Sequence, residues 1–205
     1  LLCIPKLIAS SSSVEEPLSA NAVLYEGPVT LNSNTIIKSR SFNPSSSEWS
    51  ALTEGTFIVG TPASNANLVI SEFNYHPLGP STEEEISISE TDTEFEYIEI
   101  TNIGENEINL VGVRFDQGID FEFTVDTQIN SIRAGEQILI VKNISAMKSR
   151  YGDEILDSIA GEFEAKTKLS NNGESLTLLA EDGSTIQSFT YSDQLPWPIG
   201  ADGVG

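Results

Sequence analysis

The sequence predicts an all-β fold, a β-sandwich preceded by a smaller, incomplete β-sandwich module, and three observations carry that expectation. Short clusters of β-branched and aromatic residues recur between turn signals in a chain that is 39% hydrophobic. Residues 175–180 and 185–191 are β-prone runs flanking Glu181-Asp182-Gly183-Ser184, and Asp-Gly in that setting is a strong hairpin signal. Only residues 145–151 read as helical, with Ser145 as a cap, Met147 and Tyr151 one turn apart, and Gly152 as the stop.

At 205 residues the chain can form one large or two small domains, and its text divides into two modules. Residues 1–18, with four consecutive serines at 10–13, read as a tail or linker. Residues 19–60 then show strand-like runs at 22–25, 29–31, 35–42 and 55–59, separated by Gly27-Pro28, Asn32-Ser33-Asn34 and Asn43-Pro44. In the third run Ile36, Lys38, Arg40 and Phe42 share one face, and Trp49 is an apolar anchor. Residues 61–67 are small, polar and contain Pro62, so they read as a linker.

The second module, residues 68–205, opens with an apolar run at 68–75 that His76-Pro77 stops. Residues 81–94 carry acidic side chains with no basic residue and read as an exposed loop. Residues 95–103 and 108–115 are expected to form a hairpin about Gly104-Glu105-Asn106-Glu107, with Ile98 and Ile100 on one face and Tyr97 and Glu99 on the other. Residues 137–141 are apolar enough for a central strand, and Pro196-Trp197-Pro198 forbids regular pairing while fixing an indole beside two rigid turns.

Charge excludes whole function classes. Thirty-one acidic residues against 10 basic ones leave a formal charge of −21, which repels phosphate backbones and anionic membrane surfaces. Nucleic acid is not an expected partner. No run approaches the roughly 20 apolar residues that a membrane-spanning helix requires. Cys3 is the only cysteine, which excludes an intramolecular disulfide and a cysteine-based zinc site, and Leu2 before it is too large for a lipoprotein signal.

Two stretches resemble known families. Tyr25-Glu26-Gly27-Pro28-Val29-Thr30-Leu31, the run Thr35-Ile36-Ile37-Lys38-Ser39-Arg40-Ser41-Phe42 and Trp49-Ser50 resemble the second half of the chitobiase/hexosaminidase C-terminal-type immunoglobulin-like module of secreted bacterial proteins. Residues 68–75, 97–102, 108–113, 134–136, 150–152, Leu169-Ser170-Asn171-Asn172-Gly173-Glu174 and Trp197-Pro198 resemble, in that order, the lamin-tail-type domain. That resemblance implies an immunoglobulin-like β-sandwich over residues 68–205. It also implies a further strand after Asp202-Gly203-Val204-Gly205, so an unpaired sheet edge is expected near Gly205.

No catalytic set converges. His76 is the sole histidine and no Gly-x-Ser-x-Gly elbow is present, so a nucleophilic triad is not expected. Glu72 and Glu99 lie on predicted strands, and as residues that the lamin-tail pattern also carries they are expected to hydrogen-bond to neighbouring backbone or to Asn102. Glu83, Glu84, Glu85, Glu90, Asp92 and Glu94 offer the hard oxygens that Ca²⁺ prefers, but without EF-hand spacing, and a solvated loop is the favoured reading. No other cofactor is expected. The function that follows is a non-catalytic interaction or spacer module of a larger secreted or cell-surface bacterial protein, with protein or neighbouring domains as partners. The alternative is a carbohydrate-binding accessory domain of a polysaccharide-active enzyme.

Overall fold

The computed structural model describes residues 4–9, 23–32 and 35–197, with backbone alone for residues 4–9 and 23. Two compact units divide the chain, Leu1–Gly60 and Thr61–Gly205.

In the first unit, β1 (Ile4–Ala9), β2 (Val23–Leu24), β3 (Thr35–Asn43), β4 (Glu48–Trp49) and β5 (Thr53–Phe57) form one antiparallel sheet. β3 pairs with β1 along one side and with β5 and β4 along the other. Residues 4–9 are therefore a strand and not the expected tail or linker. Ile4 pairs with Phe42 and Ala9 with Ile37, so β1 satisfies backbone groups that would otherwise leave that side of β3 bare. Arg40 and Phe42 share the face expected of them: the Phe42 and Trp49 rings lie 4.8 Å apart, and the Arg40 guanidinium is 5.8 Å from the Trp49 ring. Residues 29–31, read as a strand, are irregular. No described side chain of this unit is fully buried, and the second layer that a small sandwich needs is not among the described residues.

The second unit begins earlier than expected. β6 (Thr61–Pro62) pairs with a later strand and Ala63 is buried in the core, so residues 61–67 are not a free linker. The chain continues through β7 (Leu68–Asn74), α1 (Glu83–Ile88), a 3₁₀ turn at Asp92–Phe95, β8 (Tyr97–Asn102), β9 (Ile108–Asn109), β10 (Arg114–Gln117), β11 (Ser131–Ile132) and β12 (Gln137–Val141). It ends with α2 (Ile144–Tyr151), a second 3₁₀ turn at Asp153–Ser158, β13 (Ile159–Glu162), β14 (Ser175–Leu179) and β15 (Thr185–Thr190).

One sheet has the order β13-β12-β8-β7, a second β10-β14-β15, and a short one β11-β9-β6. Side chains from these sheets meet in a single core, in which Ile98, Ile100, Ile138, Ile140, Leu176 and Leu178 are essentially inaccessible to water. The period of two accounts for this: β8 buries Ile98 and Ile100 and turns Tyr97, Glu99 and Thr101 outward. β12 is the exception, because α2 and the second 3₁₀ turn cover its outer face and bury Leu139 and Val141 against Met147 and Ile159. β12 and β13 run parallel, with that helical crossover between them.

The β14–β15 hairpin forms as expected, its turn closed by Ala180 N–H to Ser184 O at 2.8 Å with Gly183 at φ +82°. The expected hairpin about residues 104–107 does not form. β8 and β9 lie in different sheets, and the Asn102 side chain makes the corner: its Oδ1 accepts from Gly104 N–H, and its Nδ2 donates to Asn106 O and Ile132 O. A buried Asn that supplies backbone partners can redirect the chain without leaving orphaned amides. The unpaired edge expected near Gly205 falls outside the described residues.

Candidate functional site

β7 and β15 are the neighbouring outer strands of the two large sheets, and between them lies an open groove of about 390 Å³. Four consecutive β7 residues, Ile70, Ser71, Glu72 and Phe73, line it. Adjacent strand residues point to opposite faces, so it is the edge of β7 that borders the groove. Its other wall is Gln187, Phe189 and Trp197, with Tyr75 buried at one end. Phe73 stands 5.5 Å from Phe189 and 6.3 Å from Trp197, while Phe189 and Trp197 are nearly parallel at 11° and 6.2 Å. These half-buried rings form an apolar floor whose lower layer is Tyr75 and Tyr191, 4.8 Å apart.

One backbone donor of β7 is already taken. Ile70 N–H donates to the Gln187 side-chain oxygen at 2.8 Å, a bond that spans the two sheets and blunts part of the edge.

The bulge at Ser71 shapes the outer side of the groove. It places Ser71 and Glu72 together opposite Glu99, so two carboxylates occupy a directly paired cross-strand position. Their partners are neutral: Glu72 accepts from the Tyr97 hydroxyl, and Glu99 Oε1 accepts from Ser71 Oγ at 2.6 Å and Gln137 Nε2 at 3.0 Å. Burial, with Glu72 beside it, pushes the Tyr97 phenol up. The expectation of backbone or Asn102 partners for Glu72 and Glu99 is thus corrected; Asn102 is spent on the β8–β9 corner. Two carboxylates on one outer strand face, tied to hydroxyl and amide donors, do not form the facing pair across a cleft that glycoside hydrolysis uses.

The acidic stretch is not a loop. Thr82 caps α1, its Oγ1 accepting from Glu85 N–H at 3.1 Å while Glu85 Oε2 accepts from Thr82 N–H at 3.1 Å, a complete capping box. Glu85 is 3% exposed, and its Oε1 accepts from Arg150 Nε at 2.8 Å. The guanidinium lies 3.5 Å over the Phe95 ring. Arg150, with the Ser81 amide, holds the Glu85 carboxyl down at about 2. Asp92 faces His76 at 3.4 Å, Glu94 Oε2 accepts from Asn143 Nδ2 at 2.8 Å, and Glu83, Glu84 and Glu90 are exposed. The six acidic candidates are therefore dispersed over α1, the 3₁₀ turn and the segment between, and among the described residues no group of three or more acidic, His or Cys side chains could hold a metal ion. Calorimetric titration with Ca²⁺ is expected to give no binding heat, and the melting temperature to be indifferent to chelator; a saturable heat would overturn this.

Sequence reasoning missed Glu96. It is fully buried between the first 3₁₀ turn and β8, where Oε2 accepts from Leu169 N–H at 2.8 Å and Oε1 has no partner. Burial pushes its carboxyl up to about 8, against the Leu169 amide and the charges of Lys142 and Lys168. The same corner explains the 169–174 motif. Ser170 N–H donates to Glu174 Oε1 at 2.7 Å, the Tyr191 hydroxyl donates toward Glu174 Oε1 and Ser170 O at 3.0 Å each, and Gly173 has φ +94° with the Tyr191 carbonyl where a Cβ would sit. No pattern in the sequence separates Glu96 from its acidic neighbours; only burial does.

A family model described as Lamin Tail Domain matches residues 61–193, well over half of the chain. No curated protein matches. Among solved structures, the crystal structure of a DUF4876 family protein from Bacteroides thetaiotaomicron VPI-5482 is similar at a TM-score of 0.39 and 10% identity, covering 87% of this chain and 62% of that one. This chain therefore spans less than two thirds of that protein's length.

Proposed function

Because the chain belongs to the lamin tail domain family through residues 61–193, we propose that it works as a non-catalytic interaction or spacer module within a larger protein. The observation that carries this reading is the open edge between β7 and β15: a groove with an aromatic floor beside a strand edge is a surface built for contact. The proposed setting is bacterial and extracellular or on the cell surface, supported by a charge of −21 and by the resemblance of residues 25–50 to a chitobiase C-terminal-type module of secreted proteins. Protein is the proposed partner class, either a separate chain or a neighbouring domain. Carbohydrate fits less well, because the nearly parallel Phe189 and Trp197 rings are half-buried and Phe73 leans against them at 45° and 49°, which gives a packed cluster and not the wide exposed platform on which a sugar ring stacks.

The test is a photo-reactive phenylalanine analogue at Phe189, introduced into the parent protein in its own cells. Polypeptide adducts are expected at that position and not at Ala134, on the exposed turn before β12. Absence of adducts at Phe189, or specific glycan-array binding lost on Trp197→Ala, would overturn the reading.

A further inference from the structure

We propose that the β7–β15 groove takes an extended polypeptide strand whose side chains alternate basic and apolar, added along the edge of β7 that no described strand pairs; this rests on the interaction reading above. Three observations define that occupant. First, β7 pairs only with β8 among the described strands, and its edge beyond Ile70 borders the groove and not another strand. An incoming strand finds main-chain partners there. Second, the bulge puts Glu72 opposite Glu99 with no Lys, Arg or His in ion-pairing distance of either among the described residues. Like charges in directly opposed positions destabilise a sheet, and a cation supplied from outside relieves them. Third, Phe73, the next residue along, turns inward to Phe189 and Trp197.

Strand periodicity joins the three. A residue placed opposite Glu72 points to the outer face, where Lys or Arg meets the two carboxylates, and its neighbour opposite Phe73 points into the groove, where an apolar side chain meets the aromatic floor. A second copy of this chain is the wrong occupant: edge-to-edge pairing of β7 with itself would bring further carboxylates to the same place, on molecules that each carry a charge of −21.

The test is hydrogen exchange on the whole chain with three nine-residue peptides: one alternating Lys and Val, one alternating Glu and Val, and a scramble of the first that destroys the alternation. The alternating basic peptide is expected to slow exchange over residues 70–75 by at least about fivefold, since pairing protects edge amides. Its affinity is expected to fall about tenfold in the double variant Glu72→Lys/Glu99→Lys, and to change little in Glu154→Lys/Asp157→Lys, an equal charge change on the exposed 3₁₀ turn. Equal protection by the scramble or the acidic peptide, protection located elsewhere, or equal losses in the two double variants would overturn the proposal. The wild-type exchange arm decides even if a variant fails to fold. Polypeptide adducts at Phe189 without protection of β7 by the basic peptide would refute this occupant while leaving the interaction reading standing; absence of both would refute the two together.

Discussion

Replacing Arg150 by methionine is expected to lower the stability of the second unit by about 3 kcal/mol, the lower end of the range for breaking a buried ion pair. The substitution keeps most of the side chain's length, so the loss reports the charge. It leaves Glu85 3% exposed with its Oε1 unpaired, and it removes the cation over Phe95. The Arg150 side chain over it is itself 15% exposed, so water can reach the carboxylate after a small opening, which keeps the cost at that lower end. Glu85→Gln in the Arg150→Met background is expected to recover part of the loss, because an amide tolerates burial better than a lone carboxylate while still accepting the Ser81 and Thr82 amides. Denaturant melts of the two single variants and the double variant measure the coupling, and a loss under about 1 kcal/mol for Arg150→Met would reduce the pair to a surface contact.

The second large effect is a pH dependence of opposite sign at two carboxyls. Burial raises Glu96 from 4.5 to about 8, so between those values the folded chain holds a proton that the unfolded chain has released. Stability contributed by protonated Glu96 is whole below about pH 4.5 and is lost as pH rises to 8, a loss on the order of 3 kcal/mol. Glu85 runs the other way: Arg150 lowers it to about 2, so its contribution is present above pH 4.5 and is lost as pH falls toward 2. From these two groups alone, stability is greatest near pH 4.5. Glu96→Gln, which keeps an acceptor for Leu169 N–H, is expected to abolish the neutral-to-alkaline loss. The melting temperature of the wild type minus that of the variant should then fall by roughly 8 °C between pH 5 and 9. Parallel curves would show that Glu96 does not titrate in that window. Glutamine does not titrate, so the difference between the two curves isolates this one carboxyl.

Both effects arise where the sequence was partly legible. Thr82 and Glu85 stand at capping-box spacing directly before Ile86, a helix start that the surrounding run of acids disguised as a solvated loop. Arg150 and Glu85 are 65 positions apart, and no local pattern connects them. Glu96 looks like any other member of an acidic segment until Leu169, from across the unit, closes over it. The groove follows the same division. The Trp197 indole was readable as fixed between two prolines, but its convergence with Phe73 and Phe189 depends on two outer strands from different sheets meeting side by side.

The sequence by itself determined the class and much of the grammar of this protein. Asp182-Gly183 made the β14–β15 hairpin, the period of two sorted Ile98 and Ile100 from Tyr97 and Glu99, the apolar run 137–141 became an interior strand, and Gly152 ends the short helix α2 as expected, with Asn143 and not the expected Ser145 capping its start. All of these rest on local forces: φ/ψ preference, side-chain alternation and satisfaction of neighbouring amides. Tertiary structure alone decided that residues 4–9 form a strand, that β8 and β9 part into different sheets, that Glu85 and Glu96 are buried with opposite consequences, and that among the described strands an edge with an aromatic floor and two side-by-side carboxylates is left without a partner. Those outcomes depend on which distant groups exclude water from one another, and desolvation is a property of the assembled core that no short stretch of chain encodes.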